Sequence, residues 1–398
     1  MSMKMSGISR DEIESIWKKK AGYDYDSILA FSIGKPSEAF GEPYKVFDEE
    51  RTIARLPGPP YLFIDRINKI EPEKWVLKPN GWIEAEYKIP PDEWYFKANR
   101  IPAMPYCILL EIALQPCGWL AAYMGSALKS KKDLKFRNLG GKAVLHHQVS
   151  PDSKTLTMRT RMTQVAEAGD MIIEHFDMQI LQSDKLIYEG NTNFGFFTKQ
   201  ALAQQVGIID AAERAYSPEP DELKKSISHV FKEVVPLNPY DLETAPAPSL
   251  AMPSKALLMI DEIETYVRDG GTEGLGFIRG VKKVDPDEWF FKAHFYQDPV
   301  CPGSLGIESF IQLIKFMAID RWSHLVETHI FELITDKPHN WIYRGQIIPE
   351  NKKIEIEATV TRIQDIPVPT IQANGFLKVD GLYIYEMQDF GIRLIPKN

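Results

Sequence analysis

A nine-residue phrase occurs twice in this chain, and only its second copy ends in a side chain that titrates near neutral pH. Residues 91–99 read Pro-Asp-Glu-Trp-Tyr-Phe-Lys-Ala-Asn, and residues 286–294 read Pro-Asp-Glu-Trp-Phe-Phe-Lys-Ala-His. The final residue is thus Asn99 in the first copy and His294 in the second. An imidazole, with an unperturbed pKa of about 6.5, can accept a proton at neutral pH, whereas an amide cannot. We therefore take His294 as the candidate general base.

Two glutamates at matching positions are the candidate acids. Glu111 follows Pro105 by six residues, and Glu308 follows Pro302 by the same spacing. Each glutamate lies in a mostly apolar stretch and has a glutamine four residues later, on the same face of a helix. Burial raises the pKa of a carboxyl group, so such a group can keep its proton and donate it. Solvent-facing helix acids are the alternative interpretation, and it is stronger for Glu308 than for Glu111.

The duplicated phrase belongs to a longer internal repeat. Ile64-Asp65 recurs as Ile260-Asp261, and Asn193-Phe194-Gly195 recurs as Asp389-Phe390-Gly391, each 196 residues later. Landmarks that keep one order and nearly one offset predict two homologous domains. We expect an N-terminal extension at 1–50, a first domain at 51–200, a proline-rich linker at 201–250 with a short charged helix near 221–231, and a second domain at 251–398.

Both domains show the same order of predicted elements. An alternating strand (81–89; 275–284) precedes the repeated phrase, and an apolar helix (106–128; 304–322) follows it. Strands rich in β-branched and aromatic residues complete each domain. One long helix followed by an antiparallel meander predicts an α+β fold in which a sheet wraps around the helix. The later strands are expected near 141–149, 154–165, 171–182 and 185–197, and near 340–348, 352–362, 370–379 and 382–395.

Composition argues against several classes of protein. The 398 residues carry a net charge of −8 without a basic stripe, so we expect no nucleic-acid partner. The three cysteines, Cys107, Cys117 and Cys301, show neither metal-ligand spacing nor a disulfide pattern, so we expect no metal and a cytoplasmic location. No apolar run of signal-peptide length follows residues 1–5. An acidic residue within 106–128 favours a buried helix over a membrane span.

The segment from His294 to Glu308 resembles a known active-site signature. It reads His-Phe-Tyr-Gln-Asp-Pro-Val-Cys-Pro-Gly-Ser-Leu-Gly-Ile-Glu. This is similar to the signature of the hot-dog 3-hydroxyacyl carrier-protein dehydratases, a group that includes the bacterial fatty acid dehydratase/isomerase. The tandem arrangement, with Leu-Pro-Gly-Pro-Pro-Tyr-Leu-Phe-Ile-Asp-Arg-Ile at 56–67 and Met-Pro-Tyr-Cys-Ile-Leu-Leu-Glu at 104–111, resembles the dehydratase region of polyunsaturated fatty acid synthases.

The resemblance implies a double hot-dog fold. Two antiparallel sheets would each wrap around a long central helix, and the halves would pair as an intramolecular pseudo-dimer. In the resembled family each active site takes its histidine from one hot dog and its carboxylate from the other. Carried over to this chain, the complete site joins His294 and Glu111 as catalytic residues. Oxyanion or substrate-binding roles fall to Gly303, Val300, Gln115 and Cys107.

These residue types also fit the chemistry of dehydration. Removing water from a 3-hydroxyacyl thioester requires a base for the α proton, an acid for the departing hydroxyl and a donor for the enolate oxygen. His294 and Glu111 can supply the base and the acid. Free N–H groups at the start of the helix after Pro302 can supply the donor, and Gly303 lets a thioester oxygen approach them.

The reciprocal site, which would pair Asn99 with Glu308, is predicted to be inactive. Asn99 cannot act as a base, and the loop from it to the next helix is two residues shorter than its counterpart (6 against 8). Tyr106 occupies the place that Gly303 holds in the second half, which should block the close approach of a thioester. We expect one working site in each chain.

The resemblance also implies the partners of the protein. The 3-hydroxyacyl group would arrive on the 4'-phosphopantetheine of an acyl carrier protein, and the protein would need no resident cofactor. The polypeptide would be part of a larger synthase. A hot-dog thioesterase or hydratase is one alternative. A catalytically silent acyl-binding module is another, although the retained His294 argues against it. Acyl chain length, double-bond geometry, isomerisation, further dimerisation and the identity of the carrier stay open at this point.

Overall fold

The computed structural model of the protein describes residues 22–168, 171–231, 239 and 250–397. The predicted absence of a signal peptide at 1–5 concerns residues outside these ranges, as do three of the six linker prolines, Pro236, Pro246 and Pro248. The described strands are β1 (Arg66–Glu71), β2 (Trp82–Lys88), β3 (Lys135–Leu145), β4 (Thr155–Ala168), β5 (Met171–Gln182), β6 (Lys185–Phe197), β7 (Ile227–Val230), β8 (Glu262–Val267), β9 (Phe277–Lys283), β10 (His329–Leu333), β11 (Pro338–Tyr343), β12 (Lys353–Gln364), β13 (Thr370–Val379) and β14 (Leu382–Pro396).

Two of the helices are long, and the others are short. The described helices are α1 (Tyr25–Ser32), α2 (Pro36–Phe40), α3 (Val46–Glu49), α4 (Trp94–Asn99), α5 (Tyr106–Tyr123), α6 (Lys199–Ala203), α7 (Ala211–Arg214), α8 (Pro220–Leu223), α9 (Trp289–Ala293) and α10 (Gly303–Arg321). Helices α5 and α10 are the two predicted apolar helices. Single 3₁₀ turns lie at Glu42–Tyr44, Ser126–Lys129, Pro151–Ser153 and Ser323–Leu325.

All described strands belong to one antiparallel sheet in which the two halves meet edge to edge. The order is β1-β2-β4-β5-β6-β3-β11-β14-β13-β12-β9-β8-β7, and β10 lies beside β14. Outward from the β3–β11 pair, equivalent strands follow in the same order on both sides. At this seam residues 140–144 pair with residues 342–338. The halves are therefore related by a pseudo-twofold axis, as expected for a double hot dog.

The strands present alternate side chains to the core, because side chains in a strand alternate between the two faces. In β5, Ile172, Glu174, Phe176, Met178 and Ile180 are buried, and the residues that alternate with them are partly exposed. Burial of such a row removes apolar surface from water and holds the sheet against the helix. The sheet of each half wraps around α5 or α10.

Both central helices are buried inside the protein. Helix α5 is long and apolar enough to cross a membrane by composition alone, but 94% of that window is buried within the protein. Its polar residues Glu111 and Gln115 are buried as well. Helix α5 is therefore a core helix, as the sequence predicts. Aromatic residues of the N-terminal extension cover its far end, where Phe31 and Phe40 pack against Trp119.

The linker differs from its prediction. The charged helix expected near 221–231 is limited to the four residues of α8, and residues 227–230 form strand β7. Strand β7 pairs with β8 at the edge of the sheet. The β-branched ends of this short strand, Ile227 and Val230, favour pairing over helix. The edge of β8 satisfies backbone groups that a longer helix would have bonded internally.

Trp341 packs across the seam between the two halves, so its substitution tests how much the seam stabilises the protein. Its ring is buried, its indole N–H donates to Asn138 Oδ1 across the seam at 2.9 Å, and a Cβ at Gly141 would lie 2.4 Å from the ring. We predict that Trp341→Ala lowers the free energy of unfolding by about 3 to 5 kcal/mol, measured by urea unfolding. Trp75, which is 43% exposed, is the matched control and should lose far less. Equal losses would contradict this role of the seam.

Candidate active site

A pocket of about 700 Å³ opens where the two halves meet. Both halves contribute to its wall. The first half supplies Glu111, Gln115 and an apolar wall, and the second half supplies the loop and helix start that follow His294. The lining of the pocket includes Glu111, Gln115, Gly118, His294, Val300, Gly303, Ser304, Tyr343 and Tyr385.

His294 lies at the C-terminal end of α9 and is held in one orientation by the backbone of the following loop. Its Nδ1 lies 2.9 Å from the carbonyl oxygen of Val300, and the Val300 N–H donates to the His294 carbonyl at 2.8 Å. Because a carbonyl oxygen only accepts hydrogen bonds, Nδ1 carries the ring proton. The lone pair of a neutral ring is then on Nε2. Burial lowers the pKa of His294 to about 3, so the ring is neutral at pH 7.

Glu111 lies on α5, in the first half, and accepts hydrogen bonds on both carboxyl oxygens. The Ser304 hydroxyl donates to Oε1 at 2.7 Å, and the Gln115 amide donates to Oε2 at 3.3 Å. Burial raises the pKa of Glu111 to about 7, although these two hydrogen bonds oppose the rise. A large share of the carboxyl is therefore protonated near neutral pH. The pocket thus combines a neutral imidazole with a proton-bearing acid from the opposite half.

Gly303 begins helix α10 at the wall of the pocket. The first N–H groups of a helix have no partner within the helix, so they are available to an oxygen in the pocket. A Cβ on Gly303 would lie only 2.8 Å from the Tyr343 ring, so a side chain at 303 would displace that ring. The start of α10 therefore faces the pocket with free N–H groups and no side chain at position 303.

Val300 and Gln115 line the pocket. Val300 contacts His294, and Gln115 contacts Glu111. Val300 orients the ring of His294 through its carbonyl group. Gln115 uses its amide oxygen for the Phe63 N–H and its amide N–H groups for the Tyr61 carbonyl and Glu111. These contacts hold the Glu111 carboxyl in place.

Cys107 lies elsewhere than the sequence-based assignment places it. It does not line this pocket; its backbone N–H donates to Glu308 Oε2 at 3.3 Å. The reason is the pseudo-twofold axis, which brings the first turn of each central helix against the carboxylate of the other. Ser304, which occupies the matching position in the second half, is therefore the residue that contacts Glu111.

Several residues of the site were not identified from the sequence. Ser304 bonds Glu111, and its hydroxyl also lies 3.0 Å from the Tyr61 hydroxyl. Arg137, on β3 of the first half, binds Asp298 through two hydrogen bonds of 2.7 and 3.0 Å and so fixes the loop after His294. The offset between the repeats matches Ser304 to Cys107, but it gives no sign that both residues act across the axis.

The reciprocal site contains Asn99 and Glu308. It retains a hydrogen bond like that of His294 but has no imidazole. The Asn99 amide N–H donates to the Ala103 carbonyl at 2.9 Å, as the His294 ring donates to Val300. Its amide oxygen accepts from Lys315 at 3.2 Å, and it has no basic nitrogen. The equivalent pocket encloses about 290 Å³.

Lys315 explains why that second pocket is small. It follows Pro302 by 13 residues, and Gly118 follows Pro105 by the same spacing, so the two residues hold equivalent places on α10 and α5. Gly118 leaves room along the wall of the active pocket. Lys315 instead extends a buried side chain to within 3.8 Å of Glu308. Burial raises the pKa of Glu308, and the ammonium group of Lys315 opposes this rise. The lysine occupies the space that the glycine leaves open.

The fold and the pocket define a tandem hot-dog protein in which His294 and Glu111 line one pocket between the two halves. The comparisons with known proteins agree with this class. The model of the FabA-like domain matches residues 56–191 and again residues 252–388. These matches cover more than half of the chain, so the chain belongs to the FabA-like domain family and contains the domain twice.

One known protein is similar to this chain over nearly its whole length. The chain is 32% identical to a subunit of the polyunsaturated fatty acid synthase of Thraustochytrium sp., over 92% of this chain and 26% of that protein. The chain thus spans about a quarter of the relative's length. The predicted resemblance to a polyunsaturated fatty acid synthase is confirmed.

Solved structures show distant likenesses of fold. The 12:0-ACP thioesterase from Umbellularia californica has 8% identity and a TM-score of 0.43, over 79% of this chain and 94% of that chain. The dehydratase domain from the CurJ module of Curacin polyketide synthase has 13% identity and a TM-score of 0.39, over 83% and 97%. Because these names carry different activities, they do not distinguish a dehydratase from a thioesterase.

The protonation state of Glu111 can be tested without a substrate. We predict that infrared difference spectra, wild type minus Glu111→Gln, show a protonated carboxyl at about pH 5 and a carboxylate at about pH 9. The raised pKa also favours the folded state at low pH, and this contribution is lost as the pH rises through about 7. Wild type should therefore lose stability relative to Glu111→Gln over that range. A Glu111 carboxylate already present at about pH 5 would contradict this prediction.

Proposed function

We propose that this protein removes water from 3-hydroxyacyl thioesters on an acyl carrier protein and yields 2-enoyl thioesters. The observation that carries the proposal is the shared pocket of His294 and Glu111. The imidazole is neutral at pH 7 and can accept a proton, and the carboxyl retains one that it can donate. These are the protonation states that elimination of water requires.

In the proposed reaction His294 removes the α proton of the thioester through Nε2. The electron pair forms the double bond between C2 and C3, and the bond between C3 and oxygen breaks. The departing oxygen takes the proton of Glu111 and leaves as water. Transfer of a proton from the imidazolium to the Glu111 carboxylate, through solvent, then restores the starting state.

Charge that develops on the thioester oxygen would be stabilised at the start of α10. The Gly303 N–H group is the donor closest to the helix terminus, and the helix dipole adds to its effect. The pocket wall formed by Leu114, Phe136 and Phe194 is apolar and suits an acyl chain. Gly118 lies on the same wall and leaves space for the chain.

We further propose the setting of this activity. The acyl chain would arrive on the phosphopantetheine arm of a carrier protein, with no resident cofactor in the site. The chain would act within a larger fatty acid or polyketide synthase in the cytoplasm. The support for this is the similarity to a synthase subunit of which the chain matches about a quarter.

The first activity prediction compares His294 with its counterpart Asn99. We predict that His294→Ala lowers kcat for a 3-hydroxyacyl thioester by about 100 to 10,000-fold, since it removes the base. Asn99→Ala should leave kcat nearly unchanged, because Asn99 has no basic nitrogen. Formation of the 2-enoyl thioester, followed by mass spectrometry, is the measurement. Equal losses from both substitutions would contradict a single working site.

The second activity prediction separates the two glutamates. Glu111→Gln keeps the size and hydrogen-bonding capacity of the side chain but removes the transferable proton, so we predict a loss of about 100-fold or more in kcat. Glu308→Gln, the matched control, should retain turnover, because Glu308 lies in the reciprocal pocket beside Lys315. If Glu308→Gln were the inactive variant and Glu111→Gln the active one, the site would be built within the second half.

Product analysis separates the proposal from its alternative. A thioesterase using the same pocket would release a free acid, whereas a dehydratase keeps the thioester and gains a double bond. Free acid as the main product would contradict the proposed dehydration.

A further inference from the structure

Tyr343 has a buried hydroxyl group without a hydrogen-bond partner. The side chain is only 5% exposed, it lines the active pocket, and its hydroxyl finds no partner among the residues that the structure describes. An unpaired buried hydroxyl costs free energy, so its presence requires an explanation. A partner that arrives with the substrate provides one.

The position of this hydroxyl identifies the atom that it can reach. It lies 3.1 Å from the point where a Cβ of Gly303 would be, and thus beside the free N–H groups at the start of α10. The ring is held between that glycine and Tyr385, whose ring centroid is 4.5 Å away. Burial raises the pKa of Tyr343 well above its usual range, so the hydroxyl keeps its proton and can donate it.

The first half has no equivalent group. The offset of 198 residues that relates Pro151 to Pro349 matches Tyr343 to Leu145 (343 − 198 = 145), and each of these two residues ends its strand. Leu145 is buried and has no hydroxyl group. Tyr106 and Tyr188, which occupy the reciprocal side, have hydroxyl groups 3.1 Å apart, and both bond His339. The unpaired tyrosine hydroxyl is therefore specific to the half that carries His294.

We propose that the Tyr343 hydroxyl is a second donor to the thioester oxygen, beside the Gly303 N–H group, which makes Tyr343 a catalytic residue. This inference rests on the proposed function for its chemistry. As negative charge develops on the thioester oxygen, both donors strengthen their bonds to it. No atom is transferred from the tyrosine, which stays protonated throughout.

Tyr343→Phe removes only this hydroxyl. One oxyanion donor typically contributes about 100 to 1,000-fold to kcat, so we expect a loss of that size with little change in KM. Because the lost hydroxyl bonds no described protein group, the melting temperature should stay the same or rise. Tyr188→Phe is the matched control: it removes a bonded buried hydroxyl, so it should lower the melting temperature and leave kcat unchanged.

A measurement on a bound probe separates this inference from the proposed function. The probe is the N-acetylcysteamine thioester of 2-butenoic acid with ¹³C in its carbonyl group. In the wild type, two donors should shift the infrared carbonyl stretch of the bound probe to lower frequency, and Tyr343→Phe should reverse part of that shift. The reversal would support the inference whether or not the wild type dehydrates 3-hydroxyacyl thioesters. A wild type that fails to dehydrate them would overturn only the proposed function.

Three results would overturn the inference. One is a carbonyl frequency that does not differ between the wild type and Tyr343→Phe. Another is an equal kcat for the wild type and Tyr343→Phe, in the case that the wild type dehydrates its substrate. The third is a fall in melting temperature as large as that of Tyr188→Phe, or a variant that fails to fold, because the hydroxyl would then bond the protein rather than the substrate.

Discussion

Burial of two titratable groups at one seam is the constraint on which the rest of the site depends. An exposed glutamate is ionised at pH 7 and has no proton to give, whereas desolvation brings the pKa of Glu111 to about 7. The same desolvation keeps His294 neutral. Neither helix could create this environment alone, because the first turn of α10 covers the Glu111 carboxyl and α5 forms the opposite wall. The paired sheets hold these two helices together.

The two copies of the domain have diverged around this shared geometry. The half with Glu111 keeps a small residue at Gly118, and the half with Glu308 has filled the equivalent place with Lys315. Asn99 donates a hydrogen bond to a loop carbonyl, as His294 does, but it has no basic nitrogen. The reciprocal site has thus become part of the core. Its packing supports the fold, and the imidazole and the protonated carboxyl lie together in the other pocket.

The repeat made the main features of fold and site predictable. Matched spacings located His294, Glu111 and Gly303, and they placed both central helices to within a few residues at most ends. Residues whose roles depend on packing across the axis were missed or misplaced. Cys107 was assigned to the glutamate of its own helix, since the sequence does not show which first turn meets which carboxyl. Tyr343 ends β11 opposite Tyr385 and lines the pocket, and the sequence does not show how these strands pair.

The central claim, that one chain builds one site from both halves, can be tested by mixing two inactive variants. His294→Ala and Glu111→Gln chains would be co-expressed, and dehydration by the mixture would be measured. If both residues act within one chain, every chain lacks one of them, and no activity returns. If the site instead formed between chains, random pairing would restore about a quarter of the wild-type activity. Recovery near that level would contradict the account, and its absence is the result we predict.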